Sequence, residues 1–203
     1  MLGLYMNNDL TLHSGVPASI FIVYGLVTLF TGVLYVVPPF NFYRRPGGEV
    51  LLAEGLGLLP VLGAYLVQVG DLTRTVYLAS LPIVAATGLW VWTDELVTRA
   101  DDEAIGRRTM VMIFPAEVSG RYATLTITIL LYGVLFVAVL VRSSLPPCSL
   151  AALLTVGLGL RIVSISWNEH ANPQKMARAR MYAFLTHLLV CTIIGLSSLI
   201  VLL

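Results

Sequence analysis

Five of the eleven acidic residues of this chain lie in one stretch, TDELVTRADDEAIGRRT, from Thr93 to Thr109. If the apolar segment before it continues as a helix up to Gly106, residues 94, 98, 101 and 102 fall within about 100° of one another around the axis. Asp94, Thr98, Asp101 and Asp102 then share a face. Carboxylates at helical spacing repel, so such a face calls for a divalent cation or a cationic partner, the alternative being a solvated charged loop. A second group with chemical potential is Arg44-Arg45, inside VPPFNFYRRPGGE at 37–49. Pro38-Pro39 stops a helix there and Gly47-Gly48 permits an irregular turn. Paired guanidinium groups can hold a phosphate bidentately, or can act as topology determinants and anchors at a membrane edge.

The elements that must position these groups are apolar. Of the 203 residues, 58% are hydrophobic and 11% charged, with a mean hydropathy of +0.88, where a soluble domain carries about 25% charged residues. Apolar stretches at 17–38, 50–69, 75–93, 122–141, 148–167 and 181–203 are each long enough to cross about 30 Å of hydrocarbon as a helix. The expected fold is all-α, a polytopic transmembrane bundle of about six spans forming one domain over 1–203. Lys and Arg are unevenly spread over the loops. Nine of the twelve (Arg44, Arg45, Arg99, Arg107, Arg108, Arg121, Lys175, Arg178 and Arg180) fall in 39–49, 94–121 and 168–180. The positive-inside rule puts those loops in the cytoplasm and both termini outside. The first fifteen residues have neither a basic region nor a small-residue cleavage pattern, so no signal peptide is expected, and an odd number of preceding helices would account for an uncharged outer N-terminus.

The remaining polar residues carry less. Glu54 and Arg161 lie shallowly inside the cytoplasmic edges of their spans, where snorkelling competes with a functional role, and Gln68 lies near the opposite end of its own. Trp90, Trp92 and Trp167 are expected in the interfacial aromatic belt, and Gly157, Gly159, Gly195 and Ser197 at close helix contacts. Asn7, Asn8 and Asp9 read as an outer loop or cap. Cys148 and Cys191 have no pair spacing and read as packing residues. His13, His170 and His187 are scattered and receive no role. Between Gly106 and Pro115 the chain is apolar but short, which suits a re-entrant or interfacial segment. No nucleic-acid partner is expected.

PPFNFYRRPGGE at 38–49, GAYLVQVG at 63–70 and the acidic run with its GRRT ending resemble the UbiA superfamily of intramembrane prenyltransferases, most closely the branch that prenylates 1,4-dihydroxy-2-naphthoate for menaquinone. The resemblance covers essentially the whole chain and implies helices four to nine of a nine-helix fold, about the C-terminal two thirds, with three N-terminal helices lacking. It implies transfer of a polyprenyl group from an allylic polyprenyl diphosphate to an aromatic quinone precursor, as in menaquinone or ubiquinone biosynthesis, at the cytoplasmic face of the membrane and with Mg2+ as cofactor. The family's second acidic motif reads Asn, Asn or Glu, two residues, Asp, three residues, Asp, three residues, Gly-Lys. Glu95, Asp102 and Gly106 agree with it, Arg107 stands for the Lys, Asp94 for the Asn and Thr98 for the first Asp. A hydroxyl is a weaker magnesium ligand than a carboxylate.

By this resemblance Asp94, Glu95, Asp101 and Asp102 hold the metal, and Arg44, Arg45, Arg107 and Arg108 meet the diphosphate. Arg44, Arg45 and Arg107 are the catalytic cations among them. Ionising an allylic diphosphate leaves an anionic leaving group and a carbocation, so cations at the membrane edge and an apolar cavity beneath suit the reaction. The family's first Asn-Asp-rich motif has no counterpart here, which makes a missing N-terminal part, or a partner supplying it, an expectation. The alternative is a degenerate, non-catalytic membrane homologue or subunit. A small transporter fits less well, because transporters keep ionisable groups near the bilayer midplane.

Overall fold

The computed structural model describes residues 17–141 and 143–200; Asn7, Asn8, Asp9 and His13 lie outside them. Among the described residues six helices are long and apolar enough to cross a membrane: α1 Ala18–Val36, α2 Gly48–Val69, α3 Arg74–Ala104, α4 Val118–Val141, α5 Pro147–Glu169 and α6 Pro173–Ile200. No strand occurs among the described residues. The expected all-helical polytopic bundle is therefore what the chain forms.

Helix α3 is the centre of the bundle, packing against α2, α4 and α6. Its sequence allows this in part because the buried hydroxyls along its apolar length bond to its own backbone. Thr87 Oγ1 donates to the Ile83 carbonyl at 2.8 Å and Thr93 Oγ1 to the Leu89 carbonyl at 3.0 Å. A hydroxyl bonded one turn back costs little inside an apolar bundle. Leu89, Trp92 and Leu96 of α3 share one core with Leu131 and Leu135 of α4, Ile162 of α5, and Met176, Ala183 and Val190 of α6. Helix α1 is the opposite case, with none of its residues buried.

The structure moves several boundaries and roles. Helix α3 continues past the apolar stretch to Ala104, so the acidic run is helical, as its continuation toward Gly106 predicts. It stops at Gly106, whose φ of +72° is a conformation glycine adopts without a Cβ clash. Helix α6 starts at Pro173, which makes Lys175, Arg178 and Arg180 helical. Residues Met110–Ile113 make one exposed-edged helical turn, too short to re-enter a membrane. Trp92 is not an interfacial residue: it is buried, and its indole N–H donates to the Ser119 carbonyl at 3.1 Å. Trp167 is exposed and packs edge-on against Tyr122, as a belt residue would. Of the small residues assigned to helix contacts, Gly159 lies against Tyr132, where a Cβ would stand 2.8 Å from Oη, and Ser197 is buried. Gly157 and Gly195 have no neighbour within 4 Å of a Cβ and make no such contact.

Candidate functional site

At one end of the bundle the three basic loops meet. The Arg108 N–H donates to the Arg44 carbonyl at 3.2 Å, which joins the turn at Phe42–Arg44 to the segment after α3. Arg121 Nε donates to the Trp167 carbonyl at 2.8 Å, which joins the start of α4 to the end of α5. Glu54 and Arg161 are both exposed on the bundle surface, as snorkelling side chains are.

The strongest feature of this end is a buried guanidinium. Arg107 Nη2 donates to Glu95 Oε1 at 2.6 Å and Nη1 to Asp102 Oδ2 at 2.9 Å. Its Nε donates to the Tyr43 carbonyl at 2.7 Å, and its Cζ lies over the Tyr43 ring, 4.2 Å from the centroid. Burial works against the charge of this group, but the hydrogen bond to Asp102 and the charge of Glu95 outweigh it, so Arg107 is held above its usual range and stays protonated. Thr98 Oγ1 adds a hydrogen bond to the same Asp102 Oδ2 at 2.7 Å. Helical spacing produces this, because 95, 98 and 102 are neighbours on successive turns of α3.

Glu49, also buried, completes the joint from the other loop. Its Oε1 accepts from the Met110 N–H at 2.5 Å and its Oε2 from the Gly47 N–H at 3.3 Å. The sequence carries no spacing signal for this role, since Glu49 and Met110 are far apart along the chain. Buried Oε2 of Glu95 and Oγ1 of Thr109 have no hydrogen-bond partner among the described residues.

Around this joint the other cations remain free for solvent. Arg44, Arg45 and Arg108 are exposed. Arg108, with Pro46, Glu103, Gly106 and Thr109, lines a cleft of about 480 Å³ that opens beside the joint. Asp94 lies on a different side of α3 and pairs with Arg180 of α6 at 3.2 Å, both side chains nearly half exposed. Asp101 is exposed. The four carboxylates are thus divided: Glu95 and Asp102 converge on Arg107, Asp94 meets Arg180, and Asp101 points away to solvent.

The model of the UbiA prenyltransferase family matches residues 14–198, nearly the whole chain. The chain belongs to the UbiA prenyltransferase family. Members of the UbiA family are prenyltransferases, so an intramembrane transferase is the activity this membership brings, with a prenyl diphosphate and an aromatic acceptor as its reactants. No curated protein and no solved structure matches the chain. Six apolar spans and UbiA membership together make it an integral membrane protein.

UbiA prenyltransferases generally use divalent metal ions, and the carboxylates expected to hold one here are Asp94, Glu95, Asp101 and Asp102. Among the described residues no group of three or more His, Cys, Asp or Glu side chains could hold a metal ion. The carboxylates nearest to one another, Glu95 and Asp102, already neutralise an internal cation. As placed, they do not fit a metal centre.

Proposed function

We propose that this UbiA-family chain transfers a polyprenyl group from its allylic diphosphate to an aromatic quinone precursor of the 1,4-dihydroxy-2-naphthoate type, in menaquinone or ubiquinone biosynthesis, at the cytoplasmic face of the cytoplasmic membrane. The observation that carries this reading is the exposed cationic edge made by Arg44, Arg45 and Arg108, whose two segments are joined by the Arg108 to Arg44 backbone hydrogen bond. Such a cluster neutralises a leaving diphosphate, and guanidinium groups bind it through paired N–H donors. The apolar helices below keep water from the allylic cation that forms when the carbon–oxygen bond breaks.

In this reading Arg107 acts from one step further back. Its own donors are occupied by Glu95, Asp102 and Tyr43, so it fixes the loop that carries Arg44 and Arg45. The family implies Mg2+, with Asp94, Glu95, Asp101 and Asp102 as the carboxylates assigned to it; as placed they share no common site, so in this reading Arg44, Arg45 and Arg108 neutralise the diphosphate.

The test is transfer by the full chain reconstituted in lipid vesicles, with radiolabelled polyprenyl diphosphate and a dihydroxynaphthoate. Labelled prenyl-naphthoate is the expected product. Its absence, with the chain shown to be folded, would favour the second reading, a non-catalytic UbiA homologue. That reading is supported by the engagement of Glu95 and Asp102 with Arg107 and by Thr98 in place of an acid.

A further inference from the structure

Between α3 and α6, below the Asp94–Arg180 pair, lies a polar and aromatic group that the cationic edge does not use. Trp90 and His187 have ring centroids 5.6 Å apart with planes 26° from parallel, and Phe184 meets Trp90 edge-on at 5.4 Å. Thr87 Oγ1 lies 3.2 Å from His187 Nδ1. The proton on the imidazole can be placed from the hydrogen bonds. A threonine hydroxyl has one hydrogen, and that of Thr87 is directed to the Ile83 carbonyl at 2.8 Å. Thr87 Oγ1 is therefore the acceptor, His187 Nδ1 carries the proton, and Nε2 is left with a lone pair. The Cys191 sulfur lies 3.7 Å from Nδ1 and 3.9 Å from Nε2, a weak partner at long range for either nitrogen.

The fold holds this group in place. Thr87 is fully buried, and Gly57 of α2 lets that helix approach so closely that a Cβ there would stand 3.0 Å from Thr87 Oγ1. Trp90 and His187 themselves are only partly buried and Phe184 is exposed, so part of the group reaches the surface of the bundle. Trp90 is one helical turn from Asp94, and His187 two turns from Arg180. The group thus lies at apolar depth on the side of the cationic edge.

We infer that Trp90, Phe184 and His187 form a binding subsite for a flat aromatic ring bearing a hydroxyl, the ring packing against Trp90 and Phe184 and the hydroxyl donating to His187 Nε2. The subsite deepens the transferase reading by giving the acceptor a place to lie, and rests on that reading only for the identity of its natural ligand.

Binding of tritiated naphthol and naphthalene to the full chain in lipid nanodiscs separates the two contributions, since the ligands differ by one hydroxyl. Wild type is expected to bind naphthol roughly 10-fold or more tightly than naphthalene, the gain of one hydrogen bond to a partly desolvated acceptor. His187→Leu should bring naphthol to the level of naphthalene. Trp90→Ala should weaken both ligands about equally, by up to roughly 10-fold. Thr87→Val, which removes the acceptor for Nδ1–H, should reduce the preference for naphthol without replacing the imidazole, and serves if His187→Leu does not fold. A preference for naphthol that survives both His187→Leu and Thr87→Val, or unchanged binding in Trp90→Ala, overturns the subsite. Naphthol binding that behaves as stated in a chain that fails to transfer prenyl groups would leave the subsite standing and remove only the transferase reading.

Discussion

Asp94 and Glu95 are adjacent in the chain, equal in charge, and lie on the same turn of α3, yet the fold treats them differently. Glu95 is 5% exposed and holds Arg107 at 2.6 Å; Asp94 is nearly half exposed and holds Arg180 at 3.2 Å. The cause is the 100° step between consecutive helical residues. One side of the helix end faces the loops after α1 and α3, and the next faces α6 at the membrane edge. A buried pair is costly to break because the surviving charge stays desolvated, whereas an exposed pair is replaced by water. The difference teaches that the acidic stretch is two devices, a loop fastener and a surface contact.

Removing the buried partner should have the largest effect. Arg107→Ala leaves Glu95 and Asp102 facing each other without a cation and cuts the tie to the Tyr43 carbonyl. A loss of about 3–5 kcal/mol is expected, read as lowered resistance to denaturant in detergent micelles, together with loss of polyprenyl diphosphate binding. Arg107→Lys should rescue little, because a single ammonium cannot reproduce the guanidinium fork across two carboxylates and a carbonyl. Full stability in Arg107→Ala would show that the two pairs are alike after all.

Next come the exposed cations. Arg44→Ala with Arg45→Ala should weaken polyprenyl diphosphate binding by roughly 10- to 100-fold, the range for one or two charge-assisted hydrogen bonds, while leaving stability within about 0.5 kcal/mol as for other surface changes. That separation between affinity and stability is the reverse of what Arg107→Ala should show. A double variant that loses stability as Arg107→Ala does would make Arg44 and Arg45 part of the fastener.

How far these roles could be read without the fold depends on the range of the interaction. The six spans were legible because each is a local run of apolar residues. The end of α3 at Gly106 was legible for the same reason; of the face expected to hold Asp94, Thr98, Asp101 and Asp102, the structure joins Thr98 to Asp102, whereas Asp94 turns to Arg180 and Asp101 to solvent. The partners of Arg107 were not legible: its bond to Tyr43 joins residues 64 apart, and spacing within one helix contains nothing about a second loop. Trp92 was misread for a related reason, since an indole near a span end suits both the interface and a buried carbonyl, here that of Ser119. His187 looked like an isolated residue until α6 brought it to Thr87 and Trp90.

A smaller effect is expected at Glu49, which ties the loop before α2 to the turn after α3. Glu49→Gln keeps the shape and one carbonyl acceptor but exchanges the other oxygen for an amide donor that faces a backbone N–H. The Met110 and Gly47 N–H groups, each of which Glu49 accepts, cannot then both be satisfied. About 1–3 kcal/mol should be lost, with hydrogen exchange rising first at the Met110 amide. Unchanged protection there would mean that the joint is held by Arg107 alone.

The smallest change belongs to the exposed pair itself. Asp94→Asn removes the charge opposite Arg180 while leaving a side chain that can still accept a hydrogen bond. Because both groups are close to half exposed, water and salt already screen them, and the expected cost is about 0.2–1 kcal/mol. The cost should shrink as salt is raised from about 0.05 to about 0.5 M, a roughly threefold fall in screening length, whereas that of Arg107→Ala should not, because its carboxylates are out of reach of ions. Salt dependence is therefore the property that separates the two neighbours most cleanly. A salt-independent loss in Asp94→Asn would place Asp94 with Glu95 in the fastener and erase the distinction between them.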